Sequence, residues 1–305
     1  MQMDEFNPIV GRAETLETGL RRIVAPNPSP MTFRGTNTYL LGTQDLAVID
    51  PGPDNPAHLA AILGTVETGQ HISQIIVTHS HLDHAPLARA LAVETGAPVL
   101  AFGAADAGRS AVMARLAAAG MAGGGEGIDH AFEPHVTVRD GDVIKGSDWA
   151  LDVIHTPGHF GNHICLGWKD ACLTADHVMG WASSLVSPPD GDLTDFMASC
   201  VRLSARNWRV FYPGHGGAVH SPNARLDWLI RHRKARETAI LAKLDAGPAT
   251  AEAIARAVYT DTPAALLPAA TRNVLAHLID LKGKSRVRAL GNLSQHSVFE
   301  RTYYD

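Results

Sequence analysis

Thr78-His79-Ser80-His81-Leu82-Asp83-His84 follows directly on Gln74-Ile75-Ile76-Val77, a short apolar run rich in β-branched residues. The run reads as a buried strand, so the metal-competent side chains that come after it stand at the mouth of a sheet. Imidazoles at alternate positions leave an extended segment on one face, and a short helical turn then carries Asp83 and His84 to different sides of one pocket. Mixed nitrogen and oxygen donors suit zinc, with iron or manganese also compatible. The competing reading is a surface loop that happens to be rich in histidine, and the rest of the chain decides between the two.

Upstream, Thr38-Tyr39-Leu40-Leu41-Gly42 and Leu46-Ala47-Val48-Ile49-Asp50 flank the turn-prone Gly42-Thr43-Gln44-Asp45 and predict a β-hairpin. Pro26-Asn27-Pro28-Ser29-Pro30 cannot sustain a ladder, because three of its residues lack an amide hydrogen, and is expected as a surface loop. Asp50 has two readings: a turn residue that ends its strand, or a carboxylate that orients the histidine-rich loop. Residues 57–63 carry apolar positions at helical spacing. Beyond the loop, residues 85–95 predict a helix closed by Gly96, and Pro98-Val99-Leu100-Ala101-Phe102 the next strand. Residues 111–127 turn to Ala, Gly and Met, with Gly123-Gly124-Gly125 too flexible to hold a helix, and predict a short helix followed by a mobile loop, read either as a flank of the pocket or, more simply, as an ordinary surface insertion.

Val136-Thr137-Val138, Val143-Ile144 and Trp149-Ala150-Leu151-Asp152-Val153-Ile154 are short strands separated by Asp-Gly and Gly-Ser turns, and they predict a second sheet. The last leads into His155-Thr156-Pro157-Gly158-His159, where Pro157 and Gly158 force a turn that aims His159 back over the sheet edge. Ala171-Cys172-Leu173-Thr174-Ala175 ends at Asp176, a position from which one carboxylate can bridge two cations; the alternative is a turn residue ahead of His177. Arg209-Val210-Phe211-Tyr212 ends in Pro213-Gly214-His215-Gly216. Four separate strand ends thus deliver metal-competent side chains, which independent coincidences do not explain.

The chain has 305 residues, 45% hydrophobic and 19% charged, enough for one large domain and a small one. No stretch is long and apolar enough to cross a bilayer, so no membrane partner is expected. The start, Met1-Gln2-Met3-Asp4-Glu5-Phe6, has neither a basic nor an apolar targeting region, which points to the cytoplasm. Cys165, Cys172 and Cys200 are too few and wrongly spaced for a disulfide framework or a cysteine-zinc site, and read as buried, reduced thiols. Residues 1–224 hold 13 Lys and Arg against 23 Asp and Glu, while residues 225–305 hold 13 against 8. A basic tail on an acidic body is compatible with nucleic-acid contact, although a solvated helix face explains such an excess more often.

These residues resemble the metallo-β-lactamase superfamily over roughly residues 16–220: a His-x-His-x-Asp-His loop, then a His, an Asp and a last His on later strand ends. Asn27-Pro28-Ser29-Pro30-Met31-Thr32, Gly35-Thr36-Asn37-Thr38-Tyr39-Leu40, Thr156-Pro157-Gly158-His159 and Tyr212-Pro213-Gly214-His215-Gly216 are similar to the beta-lactamase-like protein two group. The resemblance implies an α/β fold, an αββα sandwich with a dinuclear site at one edge of the paired sheets. It implies that His79, His81 and His159 hold the first metal, Asp83, His84 and His215 the second, and that Asp176 bridges them. Class B1 β-lactamases place a Cys where Asp176 stands, so antibiotic hydrolysis is not expected; the flavodiiron pattern is departed from too, since His81 is not Glu.

In the tail, residues 226–243 predict a linking helix with Arg231, Arg233, Lys234 and Arg236 largely displayed on it. Ala246-Gly247-Pro248 breaks it, Thr250 caps a helix over residues 251–258, residues 263–281 predict another, and strands at 287–290 and 297–303 form a hairpin around Gly291-Asn292. This order resembles the winged-helix appendage of the same group, dividing the chain into a catalytic domain, 1–224, and a tail domain, 225–305. Such a domain can touch nucleic acid, through Lys282, Lys284, Arg286 and Arg288, cover the pocket, or pack on a partner subunit in a homodimer.

The expected chemistry follows from charge. Two divalent cations, zinc foremost, lower the pKa of a shared water so that a bridging hydroxide exists at neutral pH, and one cation polarises the substrate's carbonyl or phosphoryl oxygen. Asp83 and Asp176 are the catalytic carboxylates, Asp83 or a nearby histidine returning a proton to the leaving group; His163 and His220 are candidates for that role, a structural or ligand-orienting role being the favoured reading of each. No Gly-x-Ser-x-Gly motif offers a serine nucleophile. The expected function is hydrolysis of an ester, thioester or related acyl bond in a small-molecule substrate. The alternatives are a metal-dependent endoribonuclease acting on single-stranded RNA, and a nucleic-acid-binding regulator whose metal site is structural.

Overall fold

The computed structural model describes residues 6–123 and 127–303. Residues 1–5 and Gly124-Gly125, on which a targeting reading and part of the flexible insertion were placed, lie outside them. Among the described residues, the first sheet holds seven strands in sequence order: β1 (Glu14–Glu17), β2 (Leu20–Val24), β3 (Asn37–Leu41), β4 (Asp45–Ile49), β5 (His71–Ile76), β6 (Val99–Ala101) and β7 (Val136–Thr137). Strands β1 to β4 run antiparallel and β4 to β7 parallel. Helices α1 (Pro56–Leu63), α2 (Leu87–Thr95) and α3 (Ala111–Ala118) lie between these strands in the chain. Gly96 ends α2 in the left-handed conformation, at φ 71°, where glycine has no side chain to clash.

The second sheet is ordered β12-β11-β10-β9-β8, from β8 (Val143–Lys145), β9 (Ala150–His155), β10 (Ile164–Trp168), β11 (Ala171–Ala175) and β12 (Val210–Pro213); α4 (Leu193–Ser204) connects the parallel pair β11 and β12. The central strands read as unbroken apolar runs because both their faces are covered. Tyr39, Leu41, Ile49 and Ile76 point inward, against Leu151, Val153, Ile164, Leu166 and Leu173 of the second sheet. Their neighbours Leu40, Val48 and Ile75 point outward, onto Ile62 of α1 and Leu87 and Leu91 of α2. In the second sheet the outward positions include Cys165, Cys172 and Phe211, which meet Phe196, Cys200 and Leu203 of α4. The three thiols are therefore buried and unbridged, helices flank both sheets, and the four-layer αββα order is met.

After β12 come α5 (Pro222–Asp245), β13 (Ala249–Thr250), α6 (Ala251–Val258), α7 (Leu267–Gly283), β14 (Val287–Leu290) and β15 (Val298–Arg301), the strands ordered β13-β15-β14. This is the helix, helix, hairpin tail, with β13 as an extra short strand. The division drawn at residue 224 falls inside α5. Leu226 and Leu229 pack with α4, while Ile240, Leu241 and Leu244 pack with α6 and α7.

Three expectations are corrected. Strand β7 belongs to the first sheet, pairing Leu100 with Val136 and Ala101 with Thr137; a short run states no partner, and here β6 offers a free edge. The helical part of the 111–127 stretch is not a plain surface element, because Met113 and Leu116 of α3, the short helix expected there, enter the apolar cluster of the tail. Arg233 is not displayed on α5 but only 2% exposed, its guanidinium 5.1 Å above the ring of Phe196.

Candidate metal centre

Strands β4 and β5 are parallel neighbours, so their C-terminal ends deliver Asp50 and Thr78 side by side. Asp50 leaves β4 at φ 49° and is 2% exposed. Its Oδ1 accepts the Thr78 amide at 2.8 Å; its Oδ2 accepts the Thr78 hydroxyl at 2.8 Å and lies 2.9 Å from Nδ1 of His84. Asp50 thus fills both of its readings, ending a strand and orienting the loop. The Thr78 hydroxyl, having donated to Asp50, accepts from His79 Nδ1 at 3.0 Å. One carboxylate thereby leaves the Nε2 lone pairs of both His79 and His84 free.

The other ligands arrive by the same device. Gly158, at φ 140°, lets the turn after β9 pass so close to α4 that a Cβ there would lie 2.3 Å from the Phe196 Cα. His159 then donates from Nδ1 to the Leu185 carbonyl at 2.7 Å. Asp176 follows β11 directly. His215 follows β12 across Gly214, where a Cβ would sit 2.4 Å from Asp176 Oδ1, and its Nδ1 donates to the Gly35 carbonyl at 3.2 Å. Asn37 secures that turn with hydrogen bonds from Nδ2 to the carbonyls of Pro213 (2.8 Å) and Gly216 (2.9 Å), and Tyr39 adds its hydroxyl to Pro213 at 2.7 Å.

The result is two groups among the described residues, His79, His81, His159 and Asp176, and Asp83, His84, Asp176 and His215, each with ligand atoms within 4.8 Å of one another. All seven side chains named from the sequence come together, and all are buried. His163 does not join either group: its ring lies 5.1 Å from that of His79, and its Nδ1 faces the Thr156 hydroxyl at 2.9 Å. His220 is exposed and belongs to neither group. Asn37, Gly35 and Leu185 were missed as site residues. Gly35-Thr36-Asn37-Thr38 carried a signal, since a buried Asn beside a strand must find partners.

The donors fit cations. With their Nδ1 atoms donating outward, His79 and His159 each aim an Nε2 lone pair at Nδ1 of His81, both at 3.0 Å, and a single proton cannot satisfy both. His84 and His215 likewise bring Nε2 atoms to 3.3 Å of each other. Asp83 Oδ1 and Asp176 Oδ1 are buried with no hydrogen-bond partner. Convergent lone pairs in a dry interior are costly unless positive charge lies among them. Three nitrogens with one carboxylate, and two nitrogens with two, are donor sets for zinc, iron or manganese.

Protonation follows the same logic. Burial, with the His159 ring beside it, pushes His81 down to about 3, and burial with the neighbouring rings holds His79 well below the usual range. Burial alone would push Asp83 and Asp176 up; His84 and His215 more than offset it and hold both carboxylates ionised. Burial opposes the charged form of His215, yet Asp176 and Asp83 raise it to about 10, and Asp83, Asp176 and Asp50 raise His84 in the same way. A cation needs both rings neutral at the ligating nitrogen, so metal uptake and proton release are linked at these two positions.

A sequence profile described as the metallo-beta-lactamase superfamily matches residues 31–215, and one described as the beta-lactamase associated winged helix domain matches residues 250–295. A Beta-lactamase-like protein 2 homolog of Drosophila melanogaster is 29% identical over 289 residues, 90% of this chain and 91% of that one. A protein of the same description from Caenorhabditis elegans is 29% identical over 267 residues, 86% and 83% of the two chains. Among solved structures, a metallo-beta-lactamase family protein from Thermus thermophilus superposes with a TM-score of 0.76 at 26% identity, covering 94% of this chain and 100% of that one. The profile match across both ligand groups shows that the chain belongs to the metallo-beta-lactamase superfamily of metal-dependent hydrolases, with a winged-helix domain at its C-terminal end.

Proposed function

We propose that the protein is a dinuclear hydrolase, zinc its first-choice metal, acting on an ester, thioester or related acyl bond of a small molecule. The observation that carries this reading is Asp176, whose carboxylate belongs to both ligand groups. When bound, two divalent cations supply Lewis acidity and a water of lowered pKa. The chain's own residues do the rest. Asp50, Leu185 and Gly35 fix the imidazoles, and Asp83 Oδ1, which has no other partner, accepts a proton and returns it to the leaving group.

The substrate class is supported by a cleft of about 180 Å³ between the loop after Asp176 and the tail, lined by Met31, Met179, Trp181, Leu185, Tyr259 and Leu266 among others. Leu185 is the residue whose carbonyl holds His159, so one residue of this wall touches a member of the ligand group. Such a lining suits an uncharged, apolar acyl portion. The RNA alternative has less support. Lys284 pairs with Asp280 at 2.6 Å, Arg286 with Glu237 at 2.7 Å and Arg288 with Glu300, so three of the four tail cations named from the sequence are compensated by carboxylates, while Lys282 stands exposed. Among the described residues no helix is long and apolar enough to cross a membrane. Three buried free thiols fit a reducing compartment such as the cytoplasm.

The test is metal analysis of the purified protein together with turnover of a panel of acyl esters and thioesters. Two ions per chain and metal-dependent acyl hydrolysis are expected. A metal-loaded protein that cuts single-stranded RNA and leaves the acyl panel intact overturns the substrate class, and a protein that takes up no metal overturns the reading altogether.

A further inference from the structure

Between Asp176 and α4 the chain passes through Ser184, Leu185 and Val186, all three buried. Each turns one backbone polar group to a defined partner. The Ser184 carbonyl accepts from Nη2 of Arg233 in α5, and the Leu185 carbonyl accepts from His159 Nδ1 at 2.7 Å. The Val186 amide donates to Oδ1 of Asn273 in α7 at 3.0 Å, and the same oxygen accepts from Arg233 Nη1 at 2.9 Å. The Leu185 carbonyl and the Val186 amide belong to one planar peptide unit and point in opposite directions. Gripping the amide therefore sets the direction of the carbonyl, which in turn sets the tautomer and aim of His159.

We propose that Asn273, held in place by Arg233, is a positioning residue for His159, so that the winged-helix tail governs how the group His79, His81, His159 and Asp176 holds its cation. The proposal rests on the metal reading given above. A buried amide has no other source of satisfaction: without the Asn273 oxygen, the Val186 N–H and one Arg233 nitrogen lose their acceptor, and the peptide plane loses the restraint that fixes it. The second group is anchored elsewhere, by Asp50 and Gly35, and is independent of this clamp.

The test compares the full chain with Asn273→Ala and Asn273→Asp, the latter keeping a carboxylate oxygen for both donors. Titration of metal-free protein with Zn2+ should show two binding events in the wild type. In Asn273→Ala the event that His159→Ala abolishes should weaken about ten- to a hundred-fold, the range typical when the partner of a ligating imidazole is removed, while the other is unchanged. Asn273→Asp should restore it. In parallel, nitrogen-15 NMR of the metal-free chain should find His159 as a fixed Nδ1–H tautomer in the wild type and in Asn273→Asp, and a mixture in Asn273→Ala. Equal affinities in Asn273→Ala and wild type, equal weakening of both events, or no rescue by Asp would overturn the proposal. If the wild type takes up no Zn2+, the hydrolase reading falls, and the tautomer measurement alone decides whether Asn273 positions His159.

Discussion

Asp50 Oδ2 lies 2.9 Å from Nδ1 of His84, with both side chains out of contact with water. The same carboxylate holds the amide and hydroxyl of Thr78, so a residue outside both ligand groups sets the shape of the loop that supplies four of the seven ligands. Asp50→Asn keeps the volume but turns a donor toward groups that need an acceptor. Metal affinity at the group containing His84 should fall about ten- to a hundred-fold with little change in circular dichroism. Titration with Zn2+ checks this, and wild-type affinity in the variant would count against the orienting role.

Asp176→Ala removes the side chain common to both groups. Bound metal should drop from two ions per chain to one or none. Hydrolysis should fall about a thousand-fold or more, as loss of several kcal/mol of transition-state stabilisation implies. Metal content by atomic emission and kcat/KM on the best acyl substrate measure the two effects, and activity close to wild type would contradict the shared-ligand reading.

Gly214 is placed so that a Cβ would lie 2.4 Å from Asp176 Oδ1 and 2.8 Å from His84 Cε1, both on rigid, buried neighbours. Gly214→Ala should therefore cost about 1 to 3 kcal/mol of stability and displace Asp176. Denaturation midpoints report the first and metal stoichiometry the second. An alanine variant with unchanged metal content would show that the turn after β12 yields more easily than its packing suggests.

His58 supplies a pH dependence. Burial pushes this ring down to about 4 from an ordinary value near 6.5, its Nε2 lies 2.8 Å from the Thr38 hydroxyl, and its Nδ1 has no partner to receive a proton. Above pH 6.5 both the folded and unfolded chains keep the ring neutral, and its contribution is constant. As pH falls from 6.5 toward 4, the unfolded chain takes up a proton that the folded one refuses, and stability is lost, by about 3 kcal/mol over the whole interval. Urea unfolding at about pH 7, 6 and 5 should show a shallower decline in His58→Gln than in the wild type; parallel declines would clear His58 of the effect.

The sequence disclosed what depends on neighbours along the chain. Ile75-Ile76-Val77 must be a strand buried on both faces, Gly96 must end a helix, and Pro157-Gly158 must turn; those local necessities lead to His79, His81, Asp83, His84, His159, Asp176 and His215. Interactions between distant segments stayed hidden. Arg233 sits among charged residues of a solvent-facing pattern, and nothing in its surroundings announces that Ser184, 49 positions earlier, supplies its acceptor. Asn273 in an apolar helical stretch looks like an ordinary polar intrusion. Leu185 and Gly35 act through backbone carbonyls, which leave no imprint on residue type. Met113 and Leu116 show a helix face but not the tail cluster it meets.

Helix α5 has a mechanical consequence. Its 24 residues span about 36 Å, with one end rooted beside α4 and the other beside α6 and α7. A helix of that length carries no proline in its interior at which to bend, so it joins the two apolar clusters as a stiff strut. Catalytic body and appendage are in this sense one stiff instrument, and severing them at the middle of the shaft would leave a greasy stump on each.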